Sequence, residues 1–153
     1  MKSNLVTIDE ANRMLPLLRS IVLDIRASWN MIINKRTELE CLEKSLAEKQ
    51  GEEKARQEGL IDELKAELNT LIERINSYIR EVEDLGCFVE EFKRGIVNFP
   101  SLYHGRKVFL CWGLEDESVG FWHELDESYN DRVKIEDPAA FLSQNPNQPR
   151  IRG

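Results

Sequence analysis

The stretch Phe109–Glu127, FLCWGLEDESVGFWHELDE, holds two of the chain's three tryptophans, one of its three cysteines, one of its two histidines and a dense set of carboxylates. Three chemistries draw on such residues. A histidine with carboxylates can bind a metal or move protons. A thiol beside an imidazole can act as a nucleophile. Tryptophans with a few convergent polar groups can line a ligand pocket. The metal reading starts from His123-Glu124-Leu125-Asp126-Glu127, which matches half of a zincin motif. The second histidine is missing, and so is the helix that would place two histidines on one face. Read as a strand, the segment sends His123 and Glu124 to opposite faces. His104, the other histidine, stands in a loop. Neither a metal site nor a cofactor is expected.

The thiol reading depends on how two neighbouring strands, KVFLCWG and SVGFWHE, pair across the acidic turn LEDES. If Gly113 pairs with Val119, Cys111 faces Phe121 and His123 sits opposite Phe109. If the loop closes at Glu115 and Val119, Cys111 lies opposite His123. Both registers put the two on one face, and only the second puts them in contact. Among Phe109, Phe121 and Val119 the thiol would be desolvated and inert. The other face would carry Leu110, Trp112, Gly120, Trp122 and Glu124. Both faces are therefore largely apolar. One must pack on helices, and the other needs a lid, a second subunit or a ligand. The candidate binding residues are Trp112, Trp122, His123, Glu124 and Asp126. Arg94, Arg106 and Arg132 either pair with Glu124 and Asp126 or form an anion site. Asn12 and Arg13 are possible contributors from the first helix. No catalytic set is assigned.

The elements that must position these residues begin at Thr7-Ile8-Asp9-Glu10, a capping box for a first helix. Pro16 removes a donor and crowds the carbonyl of Asn12, which predicts a kink or short break. Beyond it, Leu18, Ile21 or Val22, Ile25, Trp29, Ile32, Leu39, Leu42 and Leu46 recur at helical spacing, with Arg36 in the one polar slot. AEKQGEEKARQEGL, with Gly51 and Gly59, reads as a hairpin tip. Ile61, Leu64, Leu68, Leu71, Ile75, Tyr78, Val82 and Leu85 then form a heptad seam. Gly86 is placed to cap it. About 25 residues of helix make a rod of roughly 37 Å, and two such rods joined by a short tip pack antiparallel. Leu17, Met31, Ile33, Leu60, Ile72 and Ile79 exceed what one seam buries, so a second layer is required. Helices of a second chain would supply it.

After Gly86 the period falls towards two. CFVEEF, KVFLCWG and SVGFWHE read as strands, with turn signals at Gly95, Pro100 and Gly105. The expected fold is α+β: a long antiparallel, coiled-coil-like helical hairpin followed by a small, mostly antiparallel sheet of three or four strands. Residues 1–137 form one domain, with the hairpin over 7–86 and the sheet over 87–135. Residues 138–153, with Pro138, Pro146 and Pro149, form an irregular tail. The formal charge of −7 opposes a nucleic-acid or anionic-membrane surface. No apolar run reaches the ~20 residues of a membrane span, and the first residues lack a signal-peptide core. Cys41, Cys87 and Cys111 form neither a disulfide framework nor a CxxC motif. A cytoplasmic location follows.

EANRMLPLLR near the start, together with RGIVNFPSLYHGRKVFLCWGLEDESVGFWHELDESYNDR, resembles a bacterial family catalogued as domain of unknown function 2203. The resemblance covers roughly residues 5 to 135. It is carried by the N-terminal box, Arg94-Gly95, Phe99-Pro100, Gly105-Arg106, Leu110-Cys111-Trp112, and Trp122-His123-Glu124 with Asp126 and Arg132. The chain departs from the family pattern at Lys93 and Asn98, where acids are expected, and at Glu115, where a glycine is expected. The resemblance implies one recurring unit of N-terminal box and sheet, and brings no activity, cofactor or catalytic residue. The expected function is a non-enzymatic module that dimerises through its helices and holds a protein partner on its sheet. The alternative is a small-ligand- or metal-binding protein, or an enzyme, built on Trp122-His123-Glu124. That alternative requires a concave pocket with His123 partly exposed.

Overall fold

The structure is a computed structural model and describes residues 5–144. It consists of helix α1 (Ile8–Ser45), helix α2 (Gly51–Asp84) and five strands: β1 (Phe88–Glu91), β2 (Ile96–Tyr103), β3 (Arg106–Gly113), β4 (Phe121–His123) and β5 (Val133–Lys134). The strands form one antiparallel meander in the order β1-β2-β3-β4-β5. The fold is α+β, as the periodicity indicates. The sheet has five strands rather than three or four: Ile96–Tyr103, in a stretch marked by the turn signals Gly95, Pro100 and Gly105, is a full strand, and Val133–Lys134 is too short to announce itself by pattern.

The capping box forms as expected. The Thr7 hydroxyl accepts from the Glu10 amide and Glu10 accepts from the Thr7 amide, both at 3.0 Å. α1 then runs through Pro16 with no break. Pro16 falls on the exposed side, where its ring meets solvent. The tip is shorter than the glycines suggested. It is the turn Leu46–Glu48 and the two residues after it, and Gly59 lies inside α2. Gln57 fastens the tip by donating to the Leu42 carbonyl at 2.7 Å and to the Ser45 hydroxyl at 2.5 Å. At the other end of α2, Gly86 takes φ 97, the left-handed cap expected of it.

The seam is buried where the heptads place it: Ile61, Leu64, Leu68, Leu71, Ile75 and Val82 face α1. The main core lies where the N-terminal half of α1 meets the sheet. Leu15, Leu18, Val22 and Ile25 pack there with Val97, Phe99, Val108, Leu110 and Trp112. A second, smaller cluster of Ile32, Leu68, Leu71 and Ile75 holds the helices together further out. Among the described residues no helix is long and apolar enough to cross a membrane.

Two features read as turns or tail are structural. Pro100 lies inside β2, opposite Phe109 of β3. Its carbonyl accepts from the Val6 amide at 2.7 Å. In a strand the nitrogen and carbonyl of one residue point the same way, so the donor Pro100 lacks is missing from the side away from β3. The first part of the tail is also seated: Pro138–Ala140 forms a 3-10 turn and Phe141 is buried. The rest of the expected irregular tail, 145–153, lies outside the described residues.

Candidate functional site

The β3–β4 register is the first of the two alternatives. Cys111 faces Phe121, Leu110 faces Trp122, and Phe109 faces His123. Cys111 and His123 share a face without being paired. The other face, with Leu110 and Trp112, packs on α1. Trp112 is fully buried and its indole donates to the Asp116 carbonyl at 2.9 Å. Trp122 is half-buried and stacks on Tyr103, with ring centroids 4.5 Å apart.

The Cys111–His123 face receives a lid from the chain itself. Strand alternation brings Glu90 of β1, Asn98 of β2 and His123 of β4 onto one surface. The Asn98 carboxamide nitrogen donates to Glu90 Oε1 at 2.8 Å. Asn98 Oδ1 lies 3.2 Å from His123 Nε2, and Glu90 Oε1 lies 3.4 Å from the same nitrogen. His123 Nδ1 is 2.8 Å from the Glu124 carbonyl, which only accepts, so that nitrogen carries a hydrogen. Glu90 Oε2 in turn accepts from the Tyr129 amide at 3.0 Å, which ties the segment between β4 and β5 down over the face. His123 is 1% exposed and both its ring nitrogens have protein partners. The ligand reading required a partly exposed imidazole, and this one is sealed.

Arg94 and Arg132 meet at the Tyr129 ring, while Arg106 stands apart from both. Arg106 pairs in bidentate fashion with Glu124, on the surface. Arg94 pairs with Glu91 at 2.6 and 2.9 Å and lies over the Tyr129 ring. Arg132 donates to Asp116 at 2.6 and 3.2 Å, with its guanidinium 3.9 Å from the Phe121 ring and 4.0 Å from that of Tyr129. Each cation has its own carboxylate, which leaves no anion site among them. Asp126 is exposed.

Asp116 is a joint that residue types alone did not reveal. Its carboxylate accepts from the Gly113 amide at 2.9 Å as well as from Arg132. Arg19 of α1 donates to the Leu114 and Asp116 carbonyls at 2.9 and 3.0 Å. Burial pushes the Asp116 carboxyl up, but the Arg132 and Gly113 hydrogen bonds and the Arg132 charge outweigh it, so the group titrates below its ordinary value. Asn12, named among the contributors, accepts from the Val119 amide at 2.8 Å and fixes the same loop to α1. Arg13 donates to the Asp9 carbonyl on its own helix at 3.4 Å. Glu90 and Asn98 were also missed. The available signals were a lone Asn in the apolar strand IVNFPSLY and the face-mixing acids of VEEF.

Burial pushes the Cys111 thiol up to about 12, against the smaller opposing effect of Arg132. Burial alone does the same to Cys87, also to about 12. Thiols held protonated in this way are poor nucleophiles. Among the described residues no three His, Cys, Asp or Glu side chains are grouped as a metal site requires.

The sheet, its lid and the capped start of α1 are one continuous unit, and residues 4–135 match the model of a family described as "Uncharacterized conserved protein (DUF2203)". The chain belongs to that family. No curated protein and no solved structure matches it. The DUF2203 match takes in the Glu90–Asn98–His123 network, the Asp116 joint and both helices, and stops before Phe141.

One more surface stands out. The hairpin leaves Leu17, Met31, Ile33, Leu60 and Ile72 exposed, at 55, 46, 43, 48 and 39%. Ile79 is the exception among the surplus residues and packs partly on both cores. On one flank, Trp29, Ile32, Ile72, Ile75, Ile79 and Phe92 line a groove of about 260 Å³, rimmed by Arg36 and Asn76. Trp29 and Phe92 meet edge to face there, with centroids 5.2 Å apart.

Proposed function

We propose that this DUF2203 chain is a non-enzymatic interaction module of the bacterial cytoplasm that dimerises through its helical hairpin, in coiled-coil fashion, and holds a protein partner on its sheet. The observation that carries this reading is the apolar groove between Trp29, Ile72, Ile79 and Phe92, with Ile33 exposed beside it on the same helical flank. Such a stripe costs free energy in water at roughly 25 cal/mol per Å² of apolar area. A two-fold partner presents the same stripe and covers it. The rim supports a second copy as the occupant. Arg36 stands four residues before Glu40, on the same helical face, so both signs of charge are available to match across a two-fold axis. The sealed imidazole and the buried thiols support the non-enzymatic half of the reading.

Size-exclusion chromatography with light scattering tests it. Wild type is expected at twice the 17.8 kDa chain mass, and the double variant Ile33→Glu, Ile72→Glu at the mass of one chain. A wild-type monomer at high micromolar concentration would overturn the dimer.

A further inference from the structure

We infer that the Tyr103–Trp122 surface is a peptide-binding site, occupied here in cis by the chain's own segment Pro138–Leu142. The inference rests on the interaction-module reading and names its partner-binding face.

Strand β1 pairs with β2 only at Ile96, Val97 and Asn98. From Phe99 to Tyr103, that side of β2 has no neighbouring strand: Val6 meets it at the Pro100 carbonyl, and beyond that point the C-terminal segment supplies the neighbour. Its Leu142 amide donates to the Leu102 carbonyl at 3.0 Å, its Ala140 carbonyl accepts from the His104 amide at 2.9 Å, and Phe141 bridges Tyr103 in antiparallel fashion. This is strand addition to an open edge, in which main-chain bonds hold an extended segment and a pocket selects a side chain. The selected side chain is Phe141, 4% exposed, with its ring 4.9 Å from Tyr103 and 5.7 Å from Trp122. Arg106, fixed by Glu124, lies 5.1 Å from the Tyr103 ring and frames the pocket.

Two observations mark the segment as an occupant of this pocket. Within Pro138–Gln144 only Phe141 is buried, with Ala140 and Leu142 half-buried beside it, and two main-chain bonds hold the backbone. The family match ends at residue 135, so the pocket lies inside the matched unit and its occupant lies outside. The partner that fits is an extended segment of another protein with an aromatic residue between a small and an apolar one, the pattern of Ala140-Phe141-Leu142.

The probe is a synthetic peptide of residues 137–144, titrated calorimetrically into full-length chains. Wild type binds it weakly, because the tethered segment competes at high effective concentration. Phe141→Ala empties the pocket and is expected to bind at least tenfold tighter. Leu142→Pro removes one main-chain donor without touching the pocket and is expected to bind at least threefold tighter. A peptide with Phe replaced by Ala is expected to lose binding in every case. If both variants keep their helical circular dichroism yet bind no tighter than wild type, the inference is overturned. If Phe141→Ala fails to fold, Leu142→Pro decides alone. A wild-type dimer that Leu142→Pro converts to monomer would place a second copy's segment in the pocket and overturn the foreign partner. Failed peptide binding beside an intact helical dimer would remove this inference only. Binding by a monomeric chain would remove the helical dimer only.

Discussion

The two ends of the helical hairpin carry similar apolar patterns and bury them to different depths. At the sheet end, the inner stripe of α1 is covered from both sides: Leu18, Val22 and Ile25 are wholly buried between α2 and the strands, while Leu17 and Leu23 on its outer side stay exposed. At the far end each helix has only the other. Ile32, Leu68, Leu71 and Ile75 form a cluster one side chain deep, and Met31, Ile33, Leu60 and Ile72 remain in water. One seam suffices to pair two helices and is too narrow to cover two faces. The sheet end therefore carries the stability of the single chain, and the far end carries the surface on which a second chain is proposed to act.

The comparison can be broken by substitutions, beginning with the largest expected effect. Trp112→Ala removes a fully buried indole at the sheet end and is expected to cost about 3–5 kcal/mol in denaturant unfolding. Leu68→Ala at the far end is expected to cost about 2–3 kcal/mol, at the low end of the range for such truncations because exposed neighbours can relax into the space. An equal loss at the two sites would erase the difference between the ends.

Asp116→Asn tests the joint that ties the β3–β4 loop to Arg132, before β5, through charge rather than packing. Its expected cost is about 2 kcal/mol at pH 7, that of a charge-assisted hydrogen bond. The pH dependence has a definite sign. The folded-state value lies below the ordinary 3.8, so the carboxylate's contribution is fully present above that pH. It is lost as pH falls through the lower, folded-state value. The stabilities of wild type and variant should therefore converge as the pH falls below that folded-state value. A gap that persists unchanged into acid would mean that the charge is not what holds the joint.

The smallest effect on the isolated chain is expected from Ile72→Glu, below about 0.5 kcal/mol, as for a surface substitution. Its effect on association should be at least tenfold, read from the concentration dependence of the light-scattering mass. Unchanged association would leave the groove flank without a partner and sharpen attention on Leu17, Met31 and Leu60.

Much of the architecture was legible because it rests on local rules. The Thr7–Glu10 capping box, the heptad seam of α2, the Gly86 cap and the alternation of β3 each follow from neighbours a few residues apart. Strand alternation alone separated Cys111 and His123 from the tryptophans. Pro16 and Pro100 misled, because what proline disrupts depends on where its ring and missing donor point. Pro16 faces solvent, and Pro100 faces the side of β2 that has no β1 neighbour. Strand β5 was invisible because two residues hold no period.

The candidate site was less legible for the same reason. The residue types at Glu124, His123, Arg106 and Arg132 were plain, but their partners lie across strands and loops. Glu90 reaches His123 from three strands away, and Arg132 finds Asp116 rather than Glu124 or Asp126. The sequence by itself determined the helices, the alternation of the strands, the family and the surplus of apolar helix surface, all properties of spacing along the chain. Only the tertiary structure decided which face of the sheet meets α1, that His123 is sealed by the segment tied to Glu90, and that Phe141 fills the open edge of β2. Those outcomes depend on contacts between residues far apart in sequence, where packing and charge pairing choose among partners that spacing alone leaves equivalent.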